Sequence, residues 1–175
     1  MFLRKFSLDE SAVEGLPVRL TVTVILFSVI LALSARALYH FVSDENEKKL
    51  MGELDMIEKH ASIIYMNGGA RDMNDLEGFS GTIEKINVHI PDNIAFAVFG
   101  GMPTKDGKPP ETMDEHSDNV YYYILNDGRV QTRSSVARFS ANVTGLNKPL
   151  VLYPGEYELT LELVRNNNGT YVRIG

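Results

Sequence analysis

Residues 20–35 read LTVTVILFSVILALSA, sixteen positions without a formal charge, and no other stretch constrains the chain as strongly. As a helix rising about 1.5 Å per residue, this run covers roughly 24 Å, somewhat short of a ~30 Å hydrocarbon core. Apolar character continues past Arg36 through Ala37, Leu38, Tyr39, Phe41 and Val42, and before Arg19 through Leu16, Pro17 and Val18. Residues 16–42 together make about 40 Å of helix, enough to cross a bilayer. Arg19 and Arg36 can lead their charged heads to the headgroups while their stems stay in lipid. Tyr39 and His40 then fall near the interface, where rings with a polar tip are favoured.

Two other readings of this run remain open. A buried core helix normally shows a polar face, and residues 20–35 carry no charged stripe. A cleaved secretory signal has a shorter apolar run followed by a small-x-small site, approximated here by Ser34-Ala35-Arg36-Ala37. A retained membrane helix accounts best for the length. The basic residues are tied across it, with Arg4, Lys5 and Arg19 before and Arg36, Lys48 and Lys49 after. Because the large folded part follows the span, the expectation is a single-pass protein of the cell membrane. Its N-terminus lies inside and its C-terminal domain is extracytoplasmic, with the lipid bilayer as its first partner.

Ahead of the span, residues 9–20 read DESAVEGLPVRL. A short polar leader with Arg4 and Lys5, a glycine, and then a long apolar helix resembles the type IV pilin-like proteins, particularly the archaeal ones. The resemblance implies a prepilin-type peptidase that cuts before the apolar segment and leaves it in the mature protein. It places the junction at Gly15-Leu16, with Ala12-Val13 as a second choice. Bacterial pilins carry a basic residue before the cut and a Glu five residues after it, whereas this chain has Glu14 and Leu20 at those places. The resemblance rests on some thirty residues and on the helix-then-sheet order of the rest. The plain alternative is an N-terminal anchor whose helix starts at Gly15-Leu16-Pro17, since proline is well tolerated in a first turn.

Beyond Ser43 the residues turn polar, and Leu50, Leu54, Ile57, Ala61 and Ile64 recur at alternating spacings of four and three. That is a narrow apolar seam on one side of a helix. Ser43 is a candidate cap, Asp44, Glu45 and Glu47 suit a first turn, and Gly68-Gly69 is a stop signal. Gly52 is the one candidate break between Pro17 and Met66, and costs about 1 kcal/mol against alanine. The seam has two candidate partners: the chain's own sheet, the commoner outcome, or neighbouring helices in an assembly. From Thr82 onward the apolar period becomes two, as in Ile86, Val88 and Ile90, and in Tyr157, Leu159, Leu161 and Leu163. Residues 94–99 and 120–125 read as further strands, the second closed by the turn Asn126-Asp127-Gly128. Six or seven short strands at this spacing predict an antiparallel β-sandwich or curled sheet.

The expected fold class is therefore α+β: a long N-terminal helix, membrane-spanning and then amphipathic, followed by an antiparallel β-sandwich-like domain. The segments are a leader at 1–15, the span at 16–42, an amphipathic stalk at 43–69 and the β domain at 80–175.

The chain offers little catalytic chemistry. It has no cysteine, which excludes disulfides, thiolate metal sites and a cysteine nucleophile. His40, His60, His89 and His116 are scattered and form no HExxH helix, and Gly78-Phe79-Ser80-Gly81 lacks the spacing of a nucleophile elbow. No phosphate-binding loop is present, and neither an enzymatic activity nor a cofactor is expected. The dense cluster is Asp114, Glu115, His116, Asp118 and Asn119. Its oxygens make Asp114, Glu115 and Asp118 a weak Ca²⁺ candidate, set against a solvated loop without the glycine and final Glu of an EF-hand. Asn142-Val143-Thr144 and Asn168-Gly169-Thr170 fit the N-glycosylation acceptor pattern. From Ser43 on there are 13 Lys and Arg against 20 Asp and Glu, a balance of −7, which argues against nucleic acid and anionic lipid as partners of this part.

Two classes of function fit. One is a pilin-like structural subunit or accessory component of a cell-surface filament or secretion system, with other pilin-like subunits as partners. Leu20, Val22, Val24, Ile25, Leu26, Ile30 and Leu33 would then exchange lipid for neighbouring helices. The other is an anchored extracytoplasmic binding or adhesion module. Its contact area would come from Tyr121, Tyr122 and Tyr123, of which at least one is expected to point outward from a strand.

Overall fold

A computed structural model describes residues 11–75, 80–142 and 145–175, with backbone alone at 11–16 and 43. Among the described residues one helix, α1 (Ser11–Asn67), is followed by nine strands. The chain divides into two compact units between Asp44 and Glu45. Within its described residues the first unit is helix and nothing else. The helix begins six residues before Pro17, whose ring removes one backbone donor inside the helix. It passes Gly52 without a break and ends at Asn67, where the Gly68 amide donates to the Ile64 carbonyl at 2.8 Å.

The second unit holds the strands. Short β1 (Arg71–Asp72) follows the helix, then β2 (Ile83–Ile90), β3 (Ile94–Phe99), β4 (Val120–Leu125) and β5 (Val130–Ser134). After them come β6 (Phe139–Ser140), β7 (Leu150–Leu152), β8 (Gly155–Asn166) and β9 (Gly169–Ile174). One sheet runs β5-β4-β3-β7 and is antiparallel throughout. The other is organised around β8, which pairs β9 on one side and both β2 and β1 along the other, with β6 beyond β9. The purely antiparallel expectation fails in this second sheet: β1 lies parallel to β8, and β6 parallel to β9. Both parallel pairings are two residues long, too short to leave a period in the sequence, and both strands arrive from loops rather than hairpins.

The apolar seam closes the core. Leu50, Leu54, Ile57, Ala61 and Ile64 are buried in one cluster with Ile86, Val88 and Ile90 of β2, Leu159, Leu161 and Leu163 of β8, and Val172 and Ile174 of β9. Ala97 and Phe99 of β3 and Tyr121, Tyr123 and Leu125 of β4 join it from the other sheet. Residues 45–67 are thus a core element of the β domain, packed on the chain's own sheets rather than standing as a stalk. Burying each large aliphatic residue of the seam contributes about 1.5–3 kcal/mol, which explains why a helix with one narrow apolar stripe is held there.

A second, smaller cluster lies on the opposite face of β3 and β4, formed by Phe96, Val98, Tyr122 and Ile124. The two central strands of the four-stranded sheet are therefore dry on both faces, while β5 at its edge is exposed. Gly101 lies under this covering layer, where a Cβ would meet Pro110, Val98 and Pro149 at 3.2–3.5 Å. The tyrosine expectation is corrected here. Tyr121, Tyr122 and Tyr123 alternate in direction as a strand requires, yet all three are buried, because the side of the sheet opposite the helix is covered too.

Candidate functional site

Two places in the molecule bear on function: the apolar part of α1 and a polar cleft beside residues 113–118.

Every described side chain from Pro17 to Val42 is exposed, although this is the most apolar stretch of the chain. Leu20, Val22, Val24, Ile25, Leu26, Ile30 and Leu33 each present about half or more of their surface, on all sides of the helix. The helix is long and apolar enough to cross a membrane. Three of its hydroxyls bond back onto the helix: Thr21 donates to the Pro17 carbonyl, Thr23 to Arg19 and Ser28 to Val24, each at 2.8 Å. In hydrocarbon an unbonded hydroxyl costs several kcal/mol, so this back-bonding lowers the polar penalty at Thr21, Thr23 and Ser28. The candidate junction Gly15-Leu16 lies on the helix backbone with side chains outside the described residues, and residues 1–10 lie outside them altogether.

The residues from Glu45 to Asn67 show a feature the sequence reading missed. Beside the apolar seam runs an acidic row whose members reach the β4–β5 hairpin. Glu47 accepts from the Tyr123 hydroxyl at 3.1 Å and pairs with Arg129 at 3.2 Å. Asp55 accepts from the Tyr121 hydroxyl at 3.3 Å and pairs with Arg133 at 3.0 Å. Glu58 accepts from Ser62 at 2.6 Å and from Ser135 at 2.7 Å. The signal for this row was present as acids at helical spacing flanking the seam, but their partners on and beside the hairpin are more than sixty residues away. Burial pushes the Tyr123 hydroxyl up to about 12, assisted by the nearby Glu47 charge. Burial alone pushes Tyr122 up to about 12, and its hydroxyl has no hydrogen-bond partner.

An open cleft of about 500 Å³ is lined by Met113, Asp114, Glu115, His116, Asp118, Arg138, Leu146 and Asn168. A tight turn builds its acidic wall. The buried Ser117 donates through both its amide and its hydroxyl to the Asp114 carbonyl, at 3.2 and 2.8 Å, and His116 takes a left-handed conformation with φ of 67°. Asp118 pairs with Arg138 at 2.5 Å, and Arg138 also donates to the Asn168 carbonyl at 3.3 Å. Of the Ca²⁺ candidate residues Asp114, Glu115 and Asp118, all three line the cleft, and Asp118 is engaged by Arg138. Among the described residues no three such side chains gather to hold a metal ion.

The two acceptor asparagines differ in setting. Asn168 is exposed in the β8–β9 turn. Asn142 is half-buried and donates to the Asn147 side chain at 2.6 Å, while Val143 and Thr144 lie outside the described residues. Glu162, on the polar face of β8 by its alternation, is also buried, between Arg71 and Arg173, each at 2.7 Å. The pair of cations replaces the water that an outward glutamate would otherwise need.

These features define an α+β protein with a helix fit to span a bilayer and a β-rich region built around the end of that helix. Compared with known proteins, the chain matches no family model, no curated protein and no solved structure.

Proposed function

We propose that this chain is a single-pass membrane protein with a pilin-like structural role, as a subunit or accessory component of a cell-surface filament or secretion system. One observation carries the reading: the apolar residues of 17–42 are exposed on every side of the helix, with Thr21, Thr23 and Ser28 bonded back onto its backbone. Such a surface needs an apolar surrounding, which either lipid or the helices of other copies supply. The β-sandwich-like head, with both sheets contributing to one apolar cluster around the end of α1, suits a water-exposed position on the extracytoplasmic side. In this role the chain works mechanically rather than as a catalyst: the helix is held in lipid until neighbouring helices replace it, and Arg19 and Arg36 sit near the two interfaces. A prepilin-type peptidase acting at Gly15-Leu16, or at Ala12-Val13, would prepare it.

Carbonate extraction of vesicles followed by intact-mass measurement tests the reading. Retention in the pellet with a mature start at Leu16 or Val13 supports it. Retention with Met1 in place reduces the proposal to a plain anchor. Release by carbonate, or a start near Arg36 or Ala37, overturns it. A second reading, an anchored binding module, rests on the open cleft beside Arg138 and His116 rather than on the buried tyrosines.

A further inference from the structure

The edges of the two sheets are treated differently. β1 and β6 are two residues long and β7 three, too short to template another strand. β2 carries Glu84, Lys85 and His89, and the His89 amide donates to Glu53 of the helix at 3.4 Å. β5 lacks these protections. Its five residues, VQTRS, are all exposed and include no proline, lysine or glycine. Its one charge, Arg133, is drawn aside to Asp55. An exposed edge of this kind is a ready template for pairing unless something covers it.

Hydrogen-bond parity shows which groups of β5 are free to pair. The Leu125 amide donates to Arg129 and the Ser135 amide to Asn119, so both of these opposed pairs are bonded. Bonded and non-bonded pairs alternate along an antiparallel ladder. With the register Ile124↔Val130, Tyr122↔Thr132 and Val120↔Ser134, those three pairs are the non-bonded ones. The amides and carbonyls of Val130, Thr132 and Ser134 therefore point away from β4, to the open edge.

A second β5 running antiparallel and centred on Thr132 matches this pattern. Thr132 meets Thr132, Val130 meets Ser134 at both ends, and these three pairs join outward-pointing groups. On this register Arg133 stands opposite Gln131, and Arg129 opposite Ser135. A shift of the centre to Gln131 sets Arg129 against Arg133, and a shift to Arg133 sets that residue against itself. Like charges directly opposed weaken a strand pair. The Thr132-centred register alone combines three bonded pairs with no opposed charges, and a dyad of this kind is self-closing.

We propose that the β5 edge is an interface between two copies of this chain, joined as an antiparallel β5–β5 pair about Thr132 into one eight-stranded sheet. The inference does not depend on what surrounds residues 17–42.

Disulfide trapping on the full chain in detergent micelles tests it, helped by the absence of any native cysteine. Facing Cα atoms in a bonded antiparallel pair lie about 5.5 Å apart, inside disulfide range. Under mild oxidation, Thr132→Cys should form a covalent dimer far faster than Lys105→Cys on an exposed loop. Equal rates at the two positions overturn the proposal and leave the edge to some other occupant or to none. A second measurement covers the case in which the cysteine variant misfolds. Gln131→Arg places arginine against Arg133 twice per dimer and should weaken self-association by about 2- to 30-fold, while Gln131→Glu should strengthen it. Association through the apolar helix would ignore both changes, so identical dissociation constants for the two variants by sedimentation equilibrium also overturn it.

Discussion

Residues 17–42 and residues 45–67 share one helix and almost nothing else. The first stretch is apolar on every side and exposed; the second carries its charges around a seam that is buried to the last residue. Backbone geometry is common to both, so the difference lies in which solvent each set of side chains requires. In residues 17–42 no face is distinguished, and Thr21, Thr23 and Ser28 turn their hydroxyls back onto the helix. In residues 45–67 two faces are distinguished: one stripe of aliphatic residues takes the core, and a neighbouring row of acids takes the hairpin of β4 and β5. A helix in contact with hydrocarbon needs only composition, whereas a helix in contact with a folded domain needs an address.

Substitutions that exchange these requirements should break the contrast, and the largest effect belongs to the buried seam. Leu54→Ala should cost about 2–5 kcal/mol of stability in chemical denaturation, because the core around it is closed on all sides. Leu26→Ala, on the exposed stretch, should leave the same denaturation midpoint within about 0.5 kcal/mol. Next in size is Leu26→Arg. It should oppose membrane insertion by about 3 kcal/mol in a glycosylation-mapping assay, with the β domain's denaturation midpoint unchanged.

Alkaline pH sharpens the same comparison through the tyrosines facing and backing the helix. Folded Tyr122 and Tyr123 are both pushed up to about 12, against an ordinary value near 10 in the unfolded chain. Their contribution is fully present below about pH 10 and is lost as pH rises toward 12, because the unfolded state releases these protons first. Urea midpoints should fall across that window by an amount equivalent to roughly 2 kcal/mol for each tyrosine. Tyr122→Phe should flatten part of the fall. The smallest effect belongs to the half-exposed Asp55–Arg133 pair: Asp55→Ala should cost about 1 kcal/mol or less, read by a double-mutant cycle with Arg133→Ala.

Much of this was legible in the residues. The strands predicted at 94–99 and 120–125 are found at Ile94–Phe99 and Val120–Leu125, and the seam from Leu50 to Ile64 is buried as its spacing required. Period and turn chemistry are local, so they survive any tertiary arrangement. What was illegible had no period to show. β1, β6 and β7 are two or three residues long and exist because longer strands beside them offer free ladder positions. Asp118 looked like a member of an acidic cluster, but Arg138, twenty residues on, claims it.

The sequence by itself determined that residues 20–35 must find an apolar surrounding and that residues 50–64 carry one dry stripe, because hydrophobic free energy follows the side chains wherever they go. Tertiary structure alone decided that Tyr122 is buried rather than displayed, that Glu162 sits between Arg71 and Arg173, and that the edge of β5 is left open. Those outcomes depend on which distant segment covers a given face, and pairing across the chain is a property of the packed whole.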